Sequence, residues 1–162
     1  MKKTLVCVDG SAKSMKAVER AIEIMKQNPV YSEAAVMAVF EPELEGPWIT
    51  SFAKVGKEFA ESGSEAKKLK DLMEKEHKSL GEKWMDDVLE EAAAIFQKEG
   101  IEAKRIAQRG HPARKICETA EQEGYDMIVI GSRGLGGLKQ YFLGSISNAV
   151  IQGANCDVLV VK

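Results

Sequence analysis

Two glycine-containing segments carry the residue types that most clearly indicate chemistry. Gly131–Gly134 (Gly-Ser-Arg-Gly) is followed by nine residues and then by Gly144-Ser145. The first segment comes directly after the apolar run Met127–Ile130, and a helical pattern opens at Ser145. Glycine lets backbone N–H groups approach an anion closely, and a helix N-terminus adds unpaired donors and partial positive charge. The spacing therefore predicts a phosphate site, most simply one for a nucleotide.

Bulk properties exclude several other classes of protein. The chain has 162 residues, 44% hydrophobic and 30% charged, which is typical of one globular domain with a real core. Its formal net charge of -2 gives no field that favours nucleic acid or a membrane surface. The apolar runs are too short to span a bilayer, and the N-terminus shows no secretory pattern. We expect a cytoplasmic protein.

The cysteines and histidines do not form a recognisable pattern of ligands. Cys7, Cys117 and Cys156 are odd in number and have no C-x-x-C spacing, so we expect small buried hydrophobic residues rather than a disulfide or a metal site. His77 and His111 lie far apart in sequence. No structural transition-metal site is predicted.

Strand-like and helix-like segments alternate along the chain. Helical spacing follows Ser11 and ends at Asn28-Pro29, and two shorter helices are predicted from Pro112 to Gly124 and over Ser145–Gln152. A longer stripe on Leu80, Trp84, Val88, Ala92 and Ile95 ends at Gly100. The predicted strands are Lys3–Val8, Ala34–Phe40, Ala103–Gln108, Met127–Ile130 and Val158–Val161. This order predicts a parallel sheet with helices on both faces.

No linker divides the chain, so residues 1–162 are interpreted as one domain with an insertion at about 41–79, between strand two and helix two. The insertion carries Trp48, Ile49 and Phe52. These side chains are compatible with a nucleotide-dependent lid or with a loop that packs on its own protein.

Two loops fall at the predicted carboxyl ends of strands, where open α/β sheets bind ligands. They are Asp9-Gly10-Ser11 and the segment Gly131–Ser145. If strands one and four are neighbours, the loops face each other across one crevice. The glycines fit neither common nucleotide fingerprint. Lys139 stands where G-x-G-x-x-G requires its last glycine, and Leu138 follows Gly137 where a Walker A motif requires lysine.

What remains is G-x2-G-x9-G-[S/T], which resembles the ATP-binding form of the universal stress protein family. The flanks extend this resemblance over nearly the whole chain apart from residues 41–79: Val8–Ser11, Gly110-His111-Pro112, Tyr125–Gly131 and Val158–Val161. The resemblance implies a doubly wound, five-stranded parallel sheet of the adenine-nucleotide alpha-hydrolase-like, Rossmann-like type. It also implies a last strand at a dimer edge.

The resemblance assigns roles to matching positions. Asp9 is expected to contact the ribose, the alternative being a turn residue that caps the next helix. Val39 is expected to meet adenine through its backbone, the alternative being a plain core valine. The full expected nucleotide-binding set is Asp9, Gly10, Ser11, Val39, Gly131, Arg133, Gly134, Gly144, Ser145, Ile146 and Ser147. Arg133 is equally compatible with a solvated surface arginine.

The implied ligand is ATP, ADP or AMP with Mg²⁺ or Mn²⁺ bridging the phosphates. No protein side chain is assigned to the metal, although Asp9 or Ser145 through water stays open, and no residue is assigned as catalytic. Similar proteins form homodimers through the last strand, which here would bury Val158 and Val160. Asp157 stands where the family often has proline.

The implied function is a stress-linked regulatory or sensory module with at most slow ATP hydrolysis, since no Walker-type lysine and no clear general base are present. An unidentified protein partner is compatible with such a module. One alternative is an ATP-using enzyme that adenylates or cleaves pyrophosphate, but the segment Asp9–Ser14 lacks the paired glycines of such enzymes. A nucleotide-free dimeric interaction protein would lack the glycine spacing. A flavin carrier is disfavoured because the two loops lack aromatic residues.

Overall fold

A computed structural model of the chain describes residues 1–41, 65–134 and 143–162. Trp48, Ile49 and Phe52 lie outside the described residues, as do Lys139 and its neighbours. In chain order the elements are β1 (Lys2–Cys7), α1 (Ala12–Gln27), β2 (Tyr31–Phe40), α2 (Glu65–Lys98), β3 (Ala103–Arg109), α3 (Pro112–Glu123), β4 (Met127–Gly131), α4 (Ser145–Gly153) and β5 (Asp157–Val161).

The strands of the described residues form one five-stranded sheet in the order β3-β2-β1-β4-β5, and every neighbouring pair is parallel. The predicted α/β fold with a parallel five-stranded sheet is confirmed. β1 pairs with β2 on one side and with β4 on the other. The chain therefore winds outward from β1 in both directions, and the strand order reverses between β1 and β4.

The core lies in two layers, one on each face of the sheet. Alternate side chains of β1 supply both layers, since Val6 packs in the layer of α1 and α2 whereas Leu5 and Cys7 pack in the layer of α3 and α4. Such two-sided burial is why the central strands are continuous apolar runs without polar alternation. Cys7 is a buried hydrophobic residue, as expected, and Cys117 and Cys156 are partly buried in the same layer.

The long helix α2 begins at Glu65, so the later part of the 41–79 segment is helical. Its apolar stripe packs on the sheet through Val88, Ala92 and Phe96. Leu80, expected on this stripe, is instead 67% exposed. The reason is position along the helix. The next residue, Gly81, lies against Phe40 at the carboxyl end of β2, so α2 before this point extends past the end of the sheet.

Local signals place the other helix ends where the sequence predicts them. The Ser11 side chain caps α1 by accepting from the Ser14 N–H at 3.2 Å. Gly124 ends α3 with a left-handed φ of 69°, a conformation in which glycine avoids a Cβ penalty. Among the helices of the described residues, none combines the length and apolar character needed to cross a membrane.

One buried hydroxyl in the core yields a prediction about stability. Thr4 is 0% exposed, and its Oγ1 has no hydrogen-bond partner among the described residues. Thr4→Val is expected to raise the free energy of unfolding by about 1 kcal/mol, because valine keeps the shape and removes an unpaired buried polar atom. Denaturant titration of both proteins measures the difference.

Ser14 provides the contrasting control for that measurement. It is equally hidden at 3% exposed, but its hydroxyl donates to the Ser11 carbonyl at 2.9 Å. Ser14→Ala is expected to lower the free energy of unfolding by about 1 kcal/mol or more. A Thr4→Val protein that is destabilised to a similar extent would show that the Thr4 hydroxyl is satisfied in solution.

Candidate functional site

A cleft opens at the carboxyl ends of β1, β2 and β4, next to the point where the strand order reverses. The residues of the expected set that line it are Asp9, Val39, Gly131, Arg133, Gly134, Ile146 and Ser147. Gly10, Ser11, Gly144 and Ser145 belong to the adjoining turns but are not part of the lining. The sequence expectation and the topology therefore converge on one place.

The loop after β1 is held by its own hydrogen bonds. Asp9 Oδ1 accepts from the Ser11 N–H at 2.9 Å, and the Asp9 N–H donates to the Ser14 hydroxyl at 3.3 Å. Gly10 between them has φ of 80°, a left-handed conformation that L side chains rarely adopt. One carboxylate oxygen of Asp9 is thus used to shape the turn. This hydrogen bond orients the Asp9 carboxylate.

The second carboxylate oxygen of Asp9 meets the loop after β4. A Cβ placed on Gly134 would overlap Asp9 Oδ2 and would lie 3.6 Å from Asp9 Cγ. The two loops therefore face each other across the cleft, as expected if β1 and β4 are neighbours. Glycine at position 134 leaves the Asp9 carboxylate in contact with the backbone of the opposite loop.

Gly131 has a different structural reason to be glycine. Its Cβ would stand 2.9 Å from the Lys13 carbonyl carbon and 3.1 Å from the Ser14 nitrogen. Both are backbone atoms, which cannot rotate away. Gly131 therefore permits the end of β4 to pack directly on the first turn of α1, and this packing sets the width of the cleft at its base.

The start of α4 presents backbone donors. Gly144 is the N-cap, no side chain caps the helix, and the Gly144 N–H donates to the Ser132 carbonyl at 2.8 Å. The intrahelical ladder begins with the Asn148 N–H donating to the Gly144 carbonyl at 3.0 Å. The three N–H groups before it, those of residues 145–147, have no intrahelical acceptor. Together with the helix dipole they give this end of the helix partial positive charge and open donors, which suit an anion.

The two serines of this turn are used differently. Ser147 is 3% exposed, and its hydroxyl donates to the Gly131 carbonyl at 2.7 Å. Its proton therefore holds β4 to α4, so the hydroxyl of this member of the expected set is not free to donate to a nucleotide. Ser145 is exposed, so its hydroxyl is accessible at the first turn. The side chain of Ile146, 39% exposed, contributes an apolar surface to the cleft.

The end of β2 contributes backbone rather than side-chain chemistry. The Val8 N–H donates to the Met37 carbonyl at 2.9 Å, so Met37 presents its backbone groups towards β1. In a strand the next residue points the opposite way and Val39 again points towards β1. Because the pairing of β1 with β2 ends at Cys7 and Met37, the Val39 N–H and C=O lie beyond the paired part of the two strands. This edge offers one donor and one acceptor side by side.

Sequence reasoning missed the apolar wall of the cleft. Met37, Pro112, Ile116 and Ile130 line it together with Cys7. Each looks like an ordinary core or turn residue in sequence, and only the strand register brings them together on the α3 and α4 face. Burial raises the pKa of the Cys7 thiol far above its ordinary value. The thiol therefore stays neutral and serves as part of an apolar surface.

The model of the Universal stress protein family matches residues 1–162 of this chain. The chain belongs to the universal stress protein family. Universal stress protein YxiE of Bacillus subtilis (strain 168) is 33% identical over 161 residues, covering 99% of this chain and 98% of YxiE. The resemblance inferred from the glycine spacing and its flanks is thereby confirmed.

Solved structures of universal stress proteins share the fold. UspA from Lactobacillus plantarum superimposes with a TM-score of 0.76 at 19% identity, over 99% of this chain and 97% of that one. A universal stress protein in complex with cAMP has a TM-score of 0.65 at 23% identity, over 99% and 97% of the two chains. The universal stress protein of Archaeoglobus fulgidus in complex with dAMP has a TM-score of 0.58 at 23% identity, over 100% and 98%.

The different environments of Ser145 and Ser147 predict opposite outcomes for two matched variants. Ser147→Ala is expected to lower the free energy of unfolding by about 1–3 kcal/mol, because the buried Gly131 carbonyl loses its donor. Ser145→Ala removes an exposed hydroxyl and is expected to stay within about 0.5 kcal/mol of the parent. Guanidinium unfolding of the ligand-free proteins measures both values. Equal effects of the two changes would contradict the assignment.

Proposed function

We propose that this universal stress protein binds an adenine nucleotide, and ATP with Mg²⁺ in particular, in the cleft between the Asp9 loop and the start of α4. The observation that carries the proposal is the facing arrangement of the two loops, with Asp9 Oδ2 directed at Gly134. It combines a carboxylate acceptor with the open donors of a helix N-terminus at the reversal of strand order, where α/β folds bind ligands.

Charge and polarity favour one orientation of the nucleotide. The N-terminus of α4 attracts phosphate, whereas the Asp9 carboxylate repels it and accepts hydrogen bonds from ribose hydroxyls. The apolar wall around Met37 and Ile116 suits a purine base. The Val39 backbone offers a donor and an acceptor, the complement of adenine N1 and its 6-amino group. Arg133, half-buried on the lining, is near enough to serve phosphate or ribose.

A divalent cation fits this arrangement through the nucleotide rather than through a cage of side chains. Within the described residues no cluster of three or more His, Cys, Asp or Glu side chains could hold a metal ion. Mg²⁺ is commonly held by phosphate oxygens, water and one or two protein oxygens. The exposed Ser145 hydroxyl and the Asp9 carboxylate are the oxygens of this chain suited to such a role. Bound Mg²⁺ would neutralise phosphate charge.

The comparisons support the class of ligand. Two structural relatives bind cAMP and dAMP, both adenine nucleotides. Choosing ATP over these ligands rests on the glycine spacing of Gly131, Gly134 and Gly144, which the sequence shares with ATP-binding members of the family.

A regulatory or sensory role in the cytoplasm suits this chemistry better than rapid turnover. Asp9 is the one carboxylate among the described residues that line the cleft, and its Oδ1 is engaged with the Ser11 N–H. Efficient hydrolysis needs a group that positions water beside the terminal phosphate. We therefore propose at most slow hydrolysis. The same closed turn argues against an adenylating enzyme that holds phosphate on the loop after β1.

Titration calorimetry of ligand-free protein with ATP and Mg²⁺ tests the binding proposal. Wild type is expected to bind, and Gly134→Val is expected to lose at least about tenfold in affinity, because the valine side chain displaces the Asp9 carboxylate and narrows the cleft. Gly100→Asn is the matched control. Gly100 has a left-handed φ of 75°, and a Cβ there would meet nothing within 4 Å, so an asparagine is tolerated and binding should persist.

Acid extraction of the purified protein should come first, since a copurified nucleotide would mask the titration. Absence of binding heat from correctly folded, emptied wild type would overturn the proposal. So would an affinity that is equal in the wild type and in Gly134→Val. Tighter binding of cAMP or AMP than of ATP would support an adenine-nucleotide site but would contradict ATP as its preferred ligand.

We further propose a homodimer that pairs β5 with its copy. β5 is an edge strand of the described sheet, and edge strands expose unpaired backbone groups. Its residues Val158 and Val160 are only partly buried in the single chain. Light scattering at micromolar concentration is expected to give twice the mass of one chain, and Val158→Asp is expected to give the monomer mass. Val30→Asp, which alters an exposed valine away from β5, is expected to remain dimeric.

A further inference from the structure

We infer that the contact between Phe40 and Gly81 positions the Val39 backbone and thereby sets how strongly the cleft selects its nucleobase. Phe40 and Gly81 would be positioning residues, acting through Val39 and not on the ligand. The inference rests on the proposed function, since it assigns the base to the end of β2. It adds a role for α2, which lies on the opposite face of the sheet from the apolar wall of the cleft.

The Phe40 ring lies directly on the backbone of α2. A Cβ added to Gly81 would stand 2.5 Å from Phe40 Cε1 and 2.6 Å from Cε2, closer than real Cβ atoms approach their neighbours. Glycine within a helix costs about 1 kcal/mol relative to alanine. The ring fills the space that a methyl group would need, so any larger residue at position 81 requires either the Phe40 ring to move or α2 to lie farther from the end of β2.

The end of β2 is also held from the side of β3. The Phe40 carbonyl accepts from the Gly110 N–H at 3.0 Å, and Arg109, the last residue of β3, forms an ion pair with Glu82 of α2. Glu82 follows Gly81 in sequence. α2 thus contacts the ends of two neighbouring strands within two consecutive residues. A shift of α2 at this point would therefore alter contacts with the ends of both β2 and β3.

Val39 shares a peptide bond with Phe40, so a displacement of the Phe40 backbone displaces Val39 as well. Hydrogen bonds weaken steeply once the donor angle or the distance departs from its optimum. A displacement of a few tenths of an ångström at Val39 would therefore weaken its bonds to a base edge. The donors at the start of α4 belong to another strand and helix, so phosphate binding would be retained.

The experiment compares ATP with purine riboside triphosphate, which lacks the 6-amino group. The ratio of their dissociation constants, measured by calorimetry with Mg²⁺, reports the bond from that amino group to the Val39 carbonyl. Wild type is expected to prefer ATP. Gly81→Ala, which pushes the ring away, and Phe40→Leu, which leaves the space at Gly81 unfilled, are each expected to lower the preference by about threefold or more.

Ala92→Gly is the control for instability alone. Ala92 is fully buried in the same helix about three turns from Gly81, so the change destabilises the protein without touching Phe40. It is expected to keep the wild-type ratio. If Gly81→Ala does not fold, Phe40→Leu decides, because it introduces no clash.

The outcomes separate this inference from the proposed function. Wild type that binds neither triphosphate overturns the nucleotide site itself. Wild type that binds both equally, or a preference that survives unchanged in Phe40→Leu and in folded Gly81→Ala, overturns the inference and leaves the site intact. The preference for ATP could also fall in Ala92→Gly as much as in Gly81→Ala and Phe40→Leu. That result would assign the effect to general destabilisation and would also overturn the inference.

Discussion

Parallel pairing of β1 with β4 is the constraint on which the cleft depends. The register aligns Cys7 with Ile130, so the loops that follow β1 and β4 leave the sheet side by side, and Asp9 of one meets Gly134 of the other. No bulkier residue than glycine could follow Ile130, because the first turn of α1 presses its backbone against Gly131. The acid of one loop and the helix N-terminus that follows the other are therefore brought together by backbone packing and not by contacts between their own side chains.

Some polar atoms around the cleft form hydrogen bonds within the fold, whereas others remain accessible in the cleft. Asp9 uses Oδ1 to close its own turn and directs Oδ2 at the opposite loop. Ser147 gives its hydroxyl to the Gly131 carbonyl, while the exposed Ser145 keeps its own accessible. This division stabilises the shape of the cleft, because the Asp9 Oδ1 and the Ser147 hydroxyl are hydrogen-bonded within the fold. Preorganised donors bind an anion without first paying for their ordering.

The two faces of the sheet contribute differently to the structure at the carboxyl ends of the strands. The α3 and α4 face supplies the apolar wall, in which neutral Cys7 takes part because burial raises its pKa. On the other face, α2 lies against Phe40 at Gly81. β2 connects the two, since Val39 and Phe40 point to opposite faces while their backbones lie in one strand. Phe40, which contacts α2, is therefore joined by a single peptide bond to Val39, which lines the cleft.

The sequence by itself determined the class of fold, the alternation of elements and the family, because buried parallel strands are continuous apolar runs and glycine spacing records backbone constraints directly. It also placed the start of α1 after Ser11 and the end of α3 at Gly124, because helix ends depend on near neighbours. Tertiary structure decided the features that depend on residues far apart in the chain. These are the adjacency of Asp9 and Gly134, the exposure of Leu80 and the apolar wall of the cleft. The different environments of Ser145 and Ser147 belong to the same group. Sequence patterns report burial and local conformation. They do not report which distant atom fills the space beside a side chain, and strand register and helix packing alone settle that.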